Sequence, residues 1–434
     1  MPHPSQPEAR LGRYRWFVCS LLFLATTINY ADRQILSLIK PILDERMHWT
    51  NADFGWVNSA FQGAYAVSQM AFGWFIDAFG TKLGYAISVA AWSLAAVCHA
   101  FATNLRGFVV ARAGLGAAEG GNFPAGIKAI ALWFPQRERA LATTFLNCGS
   151  NCGAMLAPLV VPWIAVNWGW QATFVVAGVA GAAWLALWLP FYDVPERSKR
   201  LSQGELAHIE DGSGALPEEG RIPWSSLLKY PQTWSFVAGK FITDPTWWFF
   251  LIWLPDYFNK SRGLNITQNW PLLAAIYALV SVLSVFGGWF TGSLVKRGWT
   301  VTRARKTVML VSALCTLPIL LVGTAGNWTA VLLLGLACGA HQTWSANLFT
   351  SVSDMFPKSA VASVLGIGGL AGAIGGMIFP VFCGKLLDAF KASGNISGGY
   401  AVLFAICTFG YLAAFSLNHL FAPKFVKIRL SAGS

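Results

Sequence analysis

The chain has 434 residues, 55% of them hydrophobic and 12% charged, with a net charge of +12 and a mean hydropathy of +0.51. A soluble protein carries about a quarter of its residues as charges, so a soluble enzyme or receptor is excluded. Lys and Arg fall between apolar blocks rather than in one patch, which excludes a nucleic-acid binder and fits the loops of a polytopic membrane protein.

The apolar blocks have the length, about twenty residues, that crosses a bilayer core as a helix. Six fall at 16–38, 53–77, 84–103, 107–132, 140–164 and 169–192. Six more fall at 232–257, 269–294, 306–324, 328–351, 360–385 and 398–421. The first follows Arg10, Arg13 and Arg15 but is too long for a leader and lacks a small-residue cleavage pattern. The eight Cys are scattered singly, without metal-ligand spacing, and read as small apolar fillers.

The first block ends in "NYADRQ" (29–34), which sets Asp32 and Arg33 side by side in oily sequence. The second runs into "GWFIDAFGTKLG" (73–84), and the fourth carries "RAGLGAAEGGNFPAGIKA" (112–129). The polar stretch 193–230 reads as a linker, a tether with one amphipathic segment, "SQGELAHIE". The seventh block holds "KFITDPTWWFFLIWLPDYF" (240–258), and the tenth and eleventh "HQTWSANLFTSVSDMFPKSAVASVLGIGGLAGAIGGM" (341–377).

With the N-terminus in the cytoplasm, about 20 of the 31 basic residues fall in cytoplasmic loops and tails and about 7 on the other side. Arg33, Arg112, Lys128 and Lys240 are left inside spans. The halves repeat. "WFPQRERA" (133–140) returns as "MFPKSAVA" (355–362) and "GAMLAP" (153–158) as "GGMIFP" (375–380), both displaced by 222 residues. "GWFIDAFG" (73–80) is echoed by "GWFTGSLV" (288–295). A parallel repeat of six spans is a transporter architecture, with its site between the halves near mid-membrane. The expected class is therefore all-α, with twelve transmembrane helices in two pseudo-symmetric bundles, 1–192 and 231–421, a linker at 193–230 and a tail at 422–434.

A charge at a helix centre costs about 2.5–3.5 kcal/mol even on the lenient insertion scale, so such residues face a partner or an aqueous path. Asp32 and Arg112 both fall roughly 8–9 Å below the outer surface. Glu119 follows Arg112 by two turns on the same face, with Asn122 one turn further. Guanidinium forks bind a carboxylate in a planar, bidentate way. Tyr, Asn and Gln read hydroxyls, and Trp faces suit a sugar ring. An apolar mid-membrane setting would let the Glu119 carboxyl load and release a proton. Asp32, beside Arg33, fits a structural partner as well. The alternative for all four is a static ion-pair network that fixes helix packing. His341 stands at the repeat counterpart of Glu119. Lys240 and Asp244, at spacing four, suit a pair on one helix, and Lys128 can snorkel.

The loop at 73–84 resembles the one after the second span of the major facilitator superfamily, with Gly73, Asp77, Gly80 and Lys82 in place and Ala78 where Arg is usual. Taken together, the quoted motifs resemble the anion:cation symporter family and, within it, the hexuronate transporters. That resemblance implies proton-driven uptake of galacturonate or glucuronate by alternating access, in a monomer of the bacterial inner membrane with both termini cytoplasmic. No cofactor is called for beyond the proton gradient. It implies that Arg33 and Arg112 hold the substrate carboxylate with Tyr30 and Tyr65, while Asp32 and Glu119 carry protons. Asp77 and Lys82 are expected to gate the cytoplasmic side. In the second half Trp247, Trp248, Gln342, Trp344 and Asn347 are the expected substrate contacts, and His341 joins the proton-coupling set. An aldonate, an aldarate or an aromatic acid would use the same charges, so these stay open as cargo. A membrane receptor or enzyme is the reading from another class, and no nucleophile with its base and no appended soluble domain supports it.

Overall fold

The computed structural model describes residues 12–211 and 224–428. The ends of both expected tails and the middle of the expected linker (1–11, 212–223 and 429–434) lie outside the described residues. The first half comprises α1 (Tyr14–Leu38), α2 (Lys40–Met47), α3 (Asn51–Phe79), α4 (Thr81–His99), α5 (Leu105–Glu119), α6 (Asn122–Trp133), α7 (Gln136–Trp168) and α8 (Trp170–Phe191). Two linker helices follow, α9 (Gln203–Asp211) and α10 (Trp224–Leu227). The second half comprises α11 (Pro231–Lys260), α12 (Ile266–Lys296), α13 (Val301–Cys315), α14 (Asn327–Met355), α15 (Lys358–Ala392) and α16 (Ile396–Phe421), with a 3₁₀ segment, Leu317–Leu321, extending α13.

Local chemistry sets the ends. Thr50 with Asp53 and Asn265 with Gln268 form capping boxes that start α3 and α12. The repeat seen in sequence is one corner used twice. α6 ends at Trp133 and α14 at Met355; the following Phe134 and Phe356 turn to extended backbone, and Pro135 and Pro357 open the next helix at φ −62° and −65°.

The fourth expected span is two helices, not one. It breaks at Gly120–Gly121, where a Cβ would meet the hydroxyls of Ser68 and Ser88. Those hydroxyls also take up carbonyls at the end of α5: Ser88 donates to Ala118 at 2.6 Å and Ser68 to Gly116 at 3.3 Å. Only glycine admits α3 and α4 this close, and the break falls directly after Glu119.

Among the described residues seven helices are long and apolar enough to cross a membrane: α4, α7, α8, α12, α13 with its extension, α15 and α16. α1, α3, the α5–α6 pair, α11 and α14 fall short of that measure. Apart from Lys82, at the start of α4, these five carry every candidate site residue named above. α5 and α6 fall short because the Gly120–Gly121 break leaves each too short; in the others, polar and charged residues suit a path rather than lipid.

The halves meet through α3 against α15, α7 against α12 and α1 against α11. At one end of the bundle they are sealed. Lys40 of α2 sits 2.9 Å from Asp256 and 2.6 Å from Asp44, and Lys260 lies 2.8 Å from Asp44 and 3.1 Å from Asp256. Asn51 Oδ1 accepts from both ammoniums, Tyr400 donates to Asp256, and Asp388 of α15 accepts the first N–H groups of α3 from Asn51 and Ala52. At the other end a cavity of about 780 Å³ separates α3 and α6 from α15, lined among others by Gln69, Asp77, Lys128 and Gly369.

Candidate functional site

Arg33 is the centre of the polar group. α1 carries it inward with its Nε 2.6 Å from Glu119 Oε2, both side chains buried. Four aromatic rings surround the guanidinium: Tyr65 at 4.5 Å, Tyr30 at 4.8 Å, Phe61 at 5.2 Å and Trp248 at 5.7 Å from ring centre to Cζ. Such faces stabilise a cation and keep water from it. Arg112 reaches across from α5, donates from Nη2 to the Arg33 carbonyl at 3.0 Å and lies 4.8 Å over the Phe61 ring.

The group is under-satisfied. Among the described residues Arg33 Nη2, Arg112 Nε and Nη1, Asp32 Oδ2 and Glu119 Oε1 are buried without a hydrogen-bond partner. Unpaired buried donors on two guanidiniums are costly and are what an anion would satisfy. They border a cavity of about 20 Å³, lined by Tyr30, Arg33, Phe61, Arg112 and Trp248, with Gln34 and Gln62 beside them. That is room for one water. A six-carbon ligand enters only when the halves part.

The expected residues divide by place. Tyr30, Asp32, Arg33, Tyr65, Arg112, Glu119 and Trp248 come together. Trp247 lies next to that group but turns to His341, whose ring stacks on it at 5.2 Å while Nδ1 meets the Tyr411 hydroxyl. Trp344 is fully buried edge-on to Tyr411, and Asn347 bonds Thr291 at 3.2 Å; both belong to the interior of the second half. Gln342 is half-buried beside them on α14. Asn122, just past the Gly120–Gly121 break, points into the first half, to Tyr85 at 2.6 Å and Thr26 at 3.4 Å. Asp77 pairs with Lys128 at 2.7 Å and Lys82 with Asp193 at 3.2 Å, all within the first half and the start of the linker. Lys240 pairs with Asp244 on its own helix at 2.5 Å.

Sequence reasoning passed over Gln34, Phe61 and Gln62. Gln34 donates to the Tyr277 hydroxyl at 2.9 Å and so bridges the halves. Its signal was present: it is the last residue of "NYADRQ", one position from Arg33. Phe61 and Gln62 carry no mark in sequence that separates them from packing residues of α3.

Residues 22–380 match the model of the Major Facilitator Superfamily. The chain is 31% identical over 409 residues to the hexuronate transporter of Escherichia coli K12, covering 93% of this chain and 91% of that one. It is likewise 31% identical to the galacturonate transporter of Dickeya chrysanthemi, over 75% of this chain and 94% of the relative. The crystal structure of a bacterial homologue of the human lysosomal transporter Spinster superposes with a TM-score of 0.75 at 15% identity, covering 95% of this chain and 97% of that one. That likeness is one of fold.

Proposed function

We propose that this chain, which belongs to the major facilitator superfamily, imports a hexuronate, galacturonate or glucuronate, together with protons by alternating access. One observation carries the reading: Arg33, with Arg112 beside it, holds free buried N–H donors while its Nε is engaged by Glu119. Glu119 occupies the place of a substrate carboxylate.

Coupling follows from that competition. A protonated Glu119 gives up Arg33, and a uronate carboxylate then docks on Arg33 and Arg112 with Tyr30 and Tyr65 around it. Asp32, with Oδ2 free, is the second proton carrier. A shift of the halves carries the site to the open end, where loss of the proton returns Glu119 to Arg33 and displaces the substrate. Binding drives this only through its different affinity for the two states. The arrangement described here is then the substrate-free state open to the cytoplasm, with both termini on that side in a bacterial inner membrane.

Names of relatives support the cargo class, and a carboxylated polyol suits the group of two guanidiniums, tyrosines and glutamines. The test is uptake of radiolabelled galacturonate and glucuronate into proteoliposomes holding only this protein, with and without an inward proton gradient. Gradient-driven accumulation that an uncoupler abolishes is expected. Transport of an aldonate, aldarate or aromatic acid with neither hexuronate moved would replace the cargo and keep the site.

A further inference from the structure

The second half holds a buried ion pair that the site above does not use. Lys240 Nζ and Asp244 Oδ2 of α11 lie 2.5 Å apart, with side chains 8% and 20% exposed. Taking two charges out of water is expensive. The ion pair itself links no two helices and adds little to its own. Lys240 meets the Phe349 ring of α14 at 4.4 Å, and Asp244 lies against Gly372 of α15, where a methyl group would collide with its carboxylate.

The position is informative. Lys240, Asp244 and Trp248 follow at spacings of four and share one face of α11. Trp248 borders Arg33, and Lys240 stands about 12 Å further along the helix. The direction is toward the end where α15, through Gly369 and Ala373, walls the open cavity. Lys240 is thus set off from Trp248 by roughly two turns of α11 in the direction of the open mouth.

We propose that Lys240 is a second carboxylate-binding station for the sugar acid, between Arg33 and the open mouth, masked by Asp244 until substrate arrives. The inference rests on the transport reading above. A departing uronate displaced from Arg33 by Glu119 exchanges onto the Lys240 ammonium, and Asp244 reclaims the lysine once the substrate has left. The station favours anionic cargo over neutral sugar on the exit side.

The test uses the full chain in membrane vesicles of both orientations. Lys240→Gln should raise the KM for galacturonate about tenfold in everted vesicles, the loss expected of one charge-assisted hydrogen bond. Asp244→Asn should unmask the lysine and lower the same KM by a similar factor. Right-side-out KM should stay unchanged in both, Lys240→Arg should restore the wild-type value, and inhibition by the neutral methyl ester should not differ among variants. An everted KM unchanged in both variants, or equal shifts in the two orientations, overturns the station. A wild type that moves no hexuronate from either face removes the transport reading and the station with it. A wild type that transports alongside two unaffected variants removes the station alone.

Discussion

Arg33 and Glu119 are each expensive where they stand, and each is tolerable because of the other. A static pair that fixes α1 against α5 and a pair that opens once per cycle look alike at 2.6 Å. Substitution separates them. Glu119→Gln leaves Arg33 without a carboxylate rival, so gradient-driven accumulation should fall to the equilibrium level while exchange of labelled for unlabelled uronate persists. Loss of both activities with an intact, monodisperse protein would favour the static role. Arg33→Lys keeps the charge but loses the planar fork, and should weaken uronate binding by about 2 kcal/mol, or roughly thirtyfold in Kd by titration calorimetry. These charges were legible in the sequence because hydrocarbon makes every one of them costly. Phe61 and Gln62 were not, because neutral residues in a span carry no such cost, and Gln34 could be noticed only through its place beside Arg33. Trp344 illustrates the opposite difficulty: a tryptophan reads equally as a ring platform and as core, and this one is core.

At the scale of elements, periodicity placed the rods but not their interruptions. Asn122, three residues from Glu119, is expected near its face on a continuous helix, yet beyond Gly120–Gly121 it bonds to Tyr85. Gly120→Ala would drive a methyl group into Ser68 and the backbone of α3. It should lower the melting temperature in detergent and cut transport at least tenfold by moving Glu119 off Arg33, whereas Ser88→Ala should cost only about 1 kcal/mol of stability. A cut in transport no larger for Gly120→Ala than for Ser88→Ala would deny the break its positioning role. The linker also did more than tether. Glu205 of α9 accepts the Tyr14 and Arg15 N–H groups at the start of α1, each at 3.1 Å, and binds the Arg15 guanidinium at 2.9 Å. Glu138 of α7 takes Arg15 Nε at 3.0 Å and His208 at 2.9 Å. Partial burial pushes the Glu138 carboxyl up, but hydrogen bonds from His208 and Arg15 outweigh it and hold it below the usual glutamate range. A depressed carboxylate contributes its stability above the unfolded value and loses it as pH falls through the folded one. Spin labels on α9 and α7 should therefore keep their distance through neutral pH and separate only below about pH 4. A distance that does not change down to about pH 3 would show that the Glu138 carboxylate does not govern the docking.

Across the whole molecule the sealed end shows why one conformation does not become a trap. Lys40, Lys260, Asp44 and Asp256 form a buried set of two cations and two anions drawn from both halves. Its mutual attraction when closed is offset by desolvation, and opening returns all four groups to water. Such a seal selects one closed register at little net cost, which an apolar seal of the same area would not do. Sequence alone could not disclose it, because Asp44 and Lys260 lie 216 positions apart; Lys40, Asp44 and Lys260 read as ordinary loop charges, and Asp256 as the last turn of a span. The asymmetry gives a prediction. Lys40→Met leaves two carboxylates facing one lysine in the closed state and changes little in the open one. It should shift the equilibrium toward opening at this end by about 3–5 kcal/mol, enough to invert a closed excess of about tenfold. The double variant Lys40→Met/Asp256→Leu restores neutrality and should close again. Electron-spin distance measurements between labels at the exposed positions Glu45 and Ser393 should show one short distance in the wild type, a long one in the single variant and mostly the short one in the double. If the single variant keeps the short distance, the charges follow the closure made by α3 against α15 and do not govern it.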